Sequence, residues 1–156
     1  MKKIMLFTMV FLTATVFLAS AEDYSREGKF AVSARLDIGK NNGDSIGQLG
    51  GAIEYGIVKY LSAGLGYVYV DGRHPLQDNG LDLFLKGYIF DRELDVYIDA
   101  GAQICFSDEI ETVLTIKAGI EWQSPFALFI AAEGGAELEQ PDLGYLYGIR
   151  LGFRLQ

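Results

Sequence analysis

Apolar and polar side chains alternate from Gly28 to the end of the chain, in runs of about ten residues separated by turn formers. Strict alternation places every second side chain on the same face of a strand, so each run predicts a strand with one hydrocarbon face. The first spans Gly28 to Ile38, with Phe30, Val32, Ala34, Leu36 and Ile38 opposed to Ser33, Arg35 and Asp37. The second, Gln48 to Val58, sets Leu49, Ile53, Tyr55 and Ile57 against Glu54 and Gly56, and Leu61 to Val70 sets Leu65 and Tyr67 against Ser62 and Gly64. A fourth, Leu81 to Phe90, opposes Leu83 and Leu85 to Asp82 and Lys86. The fifth, Leu94 to Phe106, opposes Ile98 and Ala100 to Asp95, Tyr97 and Asp99. Thr112 to Trp122 carries Leu114, Ile116 and Ile120 opposite Thr115, Lys117 and Glu121. In the seventh, Phe126 to Gly135, Phe129 and Ala131 blur the pattern around Glu133. The eighth, Tyr145 to Leu155, is the cleanest, with Tyr147, Ile149, Leu151 and Phe153 opposed to Gly148, Arg150, Gly152 and Arg154.

Eight such strands consume nearly all of the chain after its first residues. Two architectures use this pattern. A soluble sandwich or a lipocalin-like carrier buries the apolar face and wets the polar one. A closed barrel in a bilayer does the reverse, with lipid outside and a polar lumen inside. Short connections near Lys59, Asp91 and Pro125 alternate with turn-rich stretches after Ile38, Val70, Phe106 and Gly135, which are expected to be the longer loops. Aromatic residues gather at strand ends: Phe30, Tyr55, Trp122, Phe126 and Phe153 at one, Tyr69, Phe106 and Tyr145 at the other. Two aromatic rings at two interfaces favour the bilayer. The expected fold is all-β, an eight-stranded antiparallel up-and-down transmembrane β-barrel.

Residues before the first strand change the picture of where the chain works. Lys2 and Lys3 precede an apolar run from Ile4 to Leu18 and an Ala19-Ser20-Ala21 site, which predicts a signal peptide over 1–21 and a barrel domain over 22–156. The formal net charge of -8 argues against nucleic acid as a partner, because phosphate binding needs clustered Lys and Arg. Cys105 is the single cysteine and is expected to be packed inside the barrel rather than bridged.

The run Tyr147-Gly148-Ile149-Arg150-Leu151-Gly152-Phe153, with the hairpin Tyr55-Gly56-Ile57 through Leu61-Ser62-Ala63-Gly64-Leu65-Gly66-Tyr67, resembles the small outer-membrane β-barrels of the OmpA/OmpX type. The resemblance covers the whole processed chain and is one of pattern. It implies a monomer in the bacterial outer membrane, surrounded by lipid and lipopolysaccharide. It also implies a C-terminal strand read by the barrel-assembly machinery. Members of that family usually end on an aromatic residue, whereas this chain ends Arg154-Leu155-Gln156.

Candidate chemistry lies on the inward face, where Arg35, Lys86, Lys117, Arg150 and Arg154 oppose Asp37, Glu54, Asp82, Asp99, Glu121 and Glu133. An eight-stranded barrel is just wide enough for its side chains to fill it, so these charges are expected to pair across the lumen and plug it. The function expected is structural or surface-interacting, against the alternatives of a narrow channel for ions or small solutes and a lipid A-modifying enzyme. Catalysis has little support: His74 stands alone in a Pro-containing loop, with no serine at a suggestive spacing. No cofactor or metal is expected, since Asp108, Glu109 and Glu111 read as a solvated acidic loop. The glycines of Gly64-Leu65-Gly66 sit within a strand rather than ahead of a helix, so they are no nucleotide fingerprint.

Overall fold

A computed structural model describes residues 24–41, 43–71, 78–106, 110–139 and 142–155. Its strands are β1 (Phe30–Asn41), β2 (Asp44–Val58), β3 (Leu61–Asp71), β4 (Asp78–Tyr88), β5 (Leu94–Phe106), β6 (Ile110–Gln123), β7 (Leu128–Glu139) and β8 (Asp142–Leu155). Each pairs antiparallel with its neighbours in sequence, and β1 pairs with β8, from Phe30 opposite Leu155 to Lys40 opposite Tyr145. The sheet closes on itself and leaves no free edge. An even strand number brings the start of β1 and the end of β8 to the same end as the turns at Lys59, Asp91 and Pro125, here called the turn end. The other is the loop end.

The expected alternation decides which way each side chain faces, and its polarity is inverted relative to a soluble protein. Along β6, Ile116 is 53% exposed and Lys117, the next residue, 3%. The same inversion runs around the barrel, with Leu36, Leu49, Leu65, Leu83, Ile98 and Ile149 exposed outside and Asp37, Glu54, Asp82, Asp99, Glu121 and Arg150 buried within. The phase that blurred the seventh run is resolved by the register. Phe129 and Ala131 point into the lumen with Glu133, so an apolar stretch there is inward filling rather than a break in the strand.

Strand ends differ from expectation mostly at the loop end. β1 and β2 run on to Asn41 opposite Asp44, leaving only Asn42 and Gly43 between them. Asn-Gly is the preferred two-residue hairpin pair, and Gly43 takes the left-handed φ of 88° that such a turn needs. Likewise β7 and β8 pair as far as Glu139 opposite Asp142, within what read as a loop. The loop-end connections therefore hold two, six, three and two residues, against two, five and four at the turn end. The expected contrast of short turns and long loops is absent. The loops that were expected to hold His74, Asp108 and Glu109 lie outside the described residues, and Glu111 sits exposed on β6.

At the turn end, β4 stops at Tyr88 rather than Phe90. There the Ile89 amide donates to Val96 O at 2.9 Å, and the Phe90 amide donates to the Asp95 carboxylate at 2.8 Å, which replaces the ladder by a side-chain-held turn. β7 starts at Leu128 rather than Phe126, because Ala127 takes a positive φ of 66° while its carbonyl accepts the Arg154 amide at 2.8 Å.

Candidate functional site

The lumen concentrates the chain's chemistry. All eleven charged residues expected there are buried and face one another: Arg35 and Asp37 from β1, Glu54 from β2, Asp82 and Lys86 from β4, Asp99 from β5, Lys117 and Glu121 from β6, Glu133 from β7, and Arg150 and Arg154 from β8. Inward phase on a closed sheet brings them together, since every second residue of a strand must occupy the narrow interior.

Two connected groups emerge. Toward the turn end, Glu121 is the hub. Lys86 Nζ lies 3.0 Å from its Oε2 and Arg154 Nη2 3.0 Å from its Oε1. Glu54 joins this group, accepting hydrogen bonds from the hydroxyls of Ser62 at 2.7 Å and Tyr88 at 2.8 Å, with Lys86 Nζ 3.6 Å away. Arg154 also donates to Gln123 Oε1. Midway along the barrel, Glu133 plays the corresponding part: Lys117 Nζ is 3.1 Å away, Arg150 Nη2 3.3 Å, and the Tyr97 hydroxyl donates to it at 2.6 Å. Lys117 bonds Asp37 at 2.7 Å, and Arg35 bridges Asp37 at 3.6 Å to Asp82. Arg150 links the groups, lying 3.8 Å from Glu54 and 3.5 Å from Asp99.

Aromatic rings fill what the charges leave. Lys86 Nζ sits 3.9 Å from the centre of the Tyr97 ring, and the guanidinium groups of Arg150 and Arg154 lie over Phe84 and Phe129 at 5.2 and 5.3 Å. Three rings occupy space that only glycine leaves open. A Cβ added at Gly64, Gly119 or Gly152 would stand 2.1, 2.5 or 2.5 Å from an atom of Phe84, Tyr97 or Phe129 respectively. Ring-over-glycine packing of this kind shields the bare strand backbone.

The lumen is not polar throughout. Near the loop end its inward positions are Ile46, Val68, Val70, Cys105, Val113 and Leu146, all buried, with Gln48 donating to Glu137 at 2.6 Å among them. Cys105 sits inside the barrel as expected. Sequence reasoning missed a second feature, Arg26, which precedes the alternating run. Its side chain is 1% exposed and enters the lumen from the turn end, with Nη1 2.9 Å from Asp95 and Nη2 donating to Glu121 at 3.3 Å. The signal for it was Arg26-Glu27-Gly28-Lys29, a tetrapeptide with glycine where a type II turn requires a positive φ.

Among the described residues no cluster of His, Cys, Asp and Glu has the geometry of a metal site. The arrangement is a network of buried ion pairs in which five of the eleven charges are cations and six are anions.

No family model matches the chain, and no curated protein does. Solved structures resemble it in fold. The N-terminal β-barrel domain of Pseudomonas aeruginosa OprF superposes with a TM-score of 0.68 at 17% identity, covering 83% of this chain and 98% of that one. A de novo designed transmembrane β-barrel follows at 0.57 and 18%, covering 81% and 96%. Ail, the attachment invasion locus protein of Yersinia pestis, gives 0.51 and 13%, covering 83% and 99%. The fold is that of the small eight-stranded outer-membrane barrels.

Proposed function

We propose that this chain is an integral protein of the bacterial outer membrane, exported by the leader over residues 1–21, and that its role is structural: a sealed barrel that reinforces the envelope. The observation that carries the reading is the inverted polarity of the wall. A continuous outer belt of Leu, Ile, Val and aromatic side chains stands exposed while Lys86, Glu121 and Glu133 are buried. In water that arrangement wastes apolar burial worth about 25 cal/mol per Å² and dehydrates charge at the same time. In a bilayer the first term reverses, because the belt meets acyl chains, while the dehydrated charges are compensated by one another across the lumen. Strands of 11 to 15 residues also meet or exceed the 9–11 or so that a tilted strand needs to span the hydrocarbon.

Sealing is supported by the interior. Lys86, Tyr97, Gln103, Glu121 and Phe129 are inaccessible to water, whereas the lining of an open channel is wetted. The loop-end connections hold no more than six residues each, which favours an envelope role over receptor or adhesin activity. Lipid and lipopolysaccharide are then the standing partners of the belt, and β8, with Tyr147, Leu151 and Phe153 on one face, is the segment offered to the barrel-assembly machinery.

Cell fractionation tests the placement. The protein is expected with the outer membrane, resistant to alkaline extraction and migrating faster on gels before boiling than after. Recovery of folded protein in the detergent-free soluble fraction overturns it. Planar-bilayer recording tests the seal, for which no steady openings are expected; steady, ion-selective openings assign the chain to the channel class instead.

A further inference from the structure

Arg26 is the one lumen cation that no barrel strand carries among the described residues. The segment bearing it, Tyr24–Lys29, is folded back beneath the barrel by two devices. The Lys29 amide donates to Arg26 O at 3.1 Å, closing a turn with Gly28 at its third position and φ of 74°. Gly28 and Lys29 then both face Gly56, whose carbonyl accepts the Gly28 amide at 2.8 Å and whose amide donates to Lys29 O at 3.0 Å. Two residues against one, the first a left-handed glycine, is a bulge that bends the chain sharply.

The opposite strand is shaped to receive this strap. The register of β2 against β3 shifts between Gly56 and Val58. Gly56 itself lies so close to the strap that a Cβ there would stand 1.7 Å from Arg26 O.

The receiving site is built with equal care. Asp95 is held by two backbone amides, Phe90 at 2.8 Å and Val96 at 2.7 Å, both donating to Oδ1, which leaves Oδ2 aimed at Arg26. Glu121 supplies the second carboxylate, Asp91 lies 3.7 Å from Nη1, and the Tyr88 ring forms the floor, with the guanidinium carbon 3.7 Å from its centre. Two carboxylates with an aromatic face match a planar cation in shape and charge. Yet the fit of Arg26 is incomplete: Nε has no hydrogen-bond acceptor among the described residues, and the contact with Asp95 is one of charge rather than an aligned hydrogen bond.

The geometry points to a guanidinium-binding socket at the turn-end mouth of the barrel, formed by Asp95, Glu121, Asp91 and Tyr88, which the Tyr24–Lys29 strap occupies in cis with Arg26 as a removable stopper. The socket's carboxylates have holders other than the strap, Asp95 the two amides of the β4–β5 turn and Glu121 the cations Lys86 and Arg154. Withdrawal of the strap therefore leaves a preformed anionic site open to ligands of the same chemistry, namely guanidinium-bearing groups. This holds whichever membrane or micelle surrounds the belt.

Methylguanidinium is the probe. Protein refolded in detergent micelles is titrated with it, and the Phe90 and Val96 amide resonances are followed, with tetramethylammonium as the charge-matched control. Native protein is expected to give no saturable shift. Arg26→Ala is expected to bind methylguanidinium in the millimolar range, with the control cation at least about tenfold weaker. Gly56→Ala, which expels the strap by steric contact and leaves every socket residue intact, is expected to behave in the same way and decides the matter should Arg26→Ala not fold. Absence of saturable binding in the folded variants overturns the inference, as does native protein binding as well as they do.

Discussion

Lys117 and Asp37, eighty residues apart in sequence, meet inside the barrel with Nζ 2.7 Å from Oδ2, and both are buried. β6 and β1 are not neighbours in the sheet, so the contact crosses the lumen rather than following its wall. A buried ion pair of this kind adds little net stability over a well-packed apolar pair, but breaking one side of it is costly, because the remaining charge has no solvent to turn to.

Lys117→Met is therefore expected to destabilise the folded barrel by about 3–5 kcal/mol, by denaturant titration in micelles or vesicles. Adding Asp37→Asn should recover part of that loss, since the charge left behind is removed. A Lys117→Met change within about 0.5 kcal/mol of the parent would mean a hydrated lumen at this level.

Outer-face and inner-face substitutions on one strand separate the two sides of the wall. Ile116→Arg places a charge among acyl chains and should cost about 2–4 kcal/mol near mid-bilayer. Thr115→Ser, one residue away and facing inward, should cost far less. Equal costs would contradict the assigned register.

The eight strands were legible because alternation is a local property, and a barrel wall imposes it on every strand alike. The same phase pointed to Arg35, Asp37, Glu54 and the other lumen charges before their partners were known. Which charge meets which was not legible. Pairing across a closed barrel depends on stagger, a property of the whole sheet, so nothing near Lys117 in sequence points to Asp37. Phe129 and Ala131 misled for a different reason, since a ring that covers Gly152 must be inward and apolar at once. Asn42-Gly43 carried the hairpin signal within a longer turn-rich stretch that hid it. Arg26 lay outside any alternating run, and only its turn glycine marked the segment.

Glycine positions divide by what their missing side chain makes room for. Gly119→Ala would set a Cβ 2.5 Å from the Tyr97 ring and 2.8 Å from Ala132 O, and it should cost about 1–3 kcal/mol while weakening the Tyr97–Glu133 hydrogen bond. Gly47→Ala meets nothing within 4 Å and should fall within about 0.5 kcal/mol of the parent. Chemical denaturation of the two variants side by side distinguishes ring-over-glycine packing from a general intolerance of the strands to change.

At the turn end, Lys59 reaches Asp91 at 3.2 Å, and their hydrogen bond raises the Lys59 ammonium above its ordinary value. A raised folded value means that the contribution is fully present below the ordinary lysine range and is lost as pH rises through the folded value. Stability curves of the parent and Lys59→Met should therefore stay parallel through neutral pH and converge in strong alkali. Because Lys59 is solvent-exposed, the separation should also shrink as salt is added. A separation that opens at acid pH, or that salt leaves unchanged, would contradict this assignment.

Trp122 is the single tryptophan of the chain, outward on β6 near the turn end, with its indole N–H donating to Glu93 at 2.7 Å. An amphipathic ring so placed belongs at the level where acyl chains meet headgroups. The protein refolded into vesicles whose lipids carry bromine high on the acyl chain should lose most of its tryptophan fluorescence, and less when the bromine lies deep. Fluorescence indifferent to bromine at either depth, yet fully quenched by acrylamide from the water, would contradict the wall's contact with lipid.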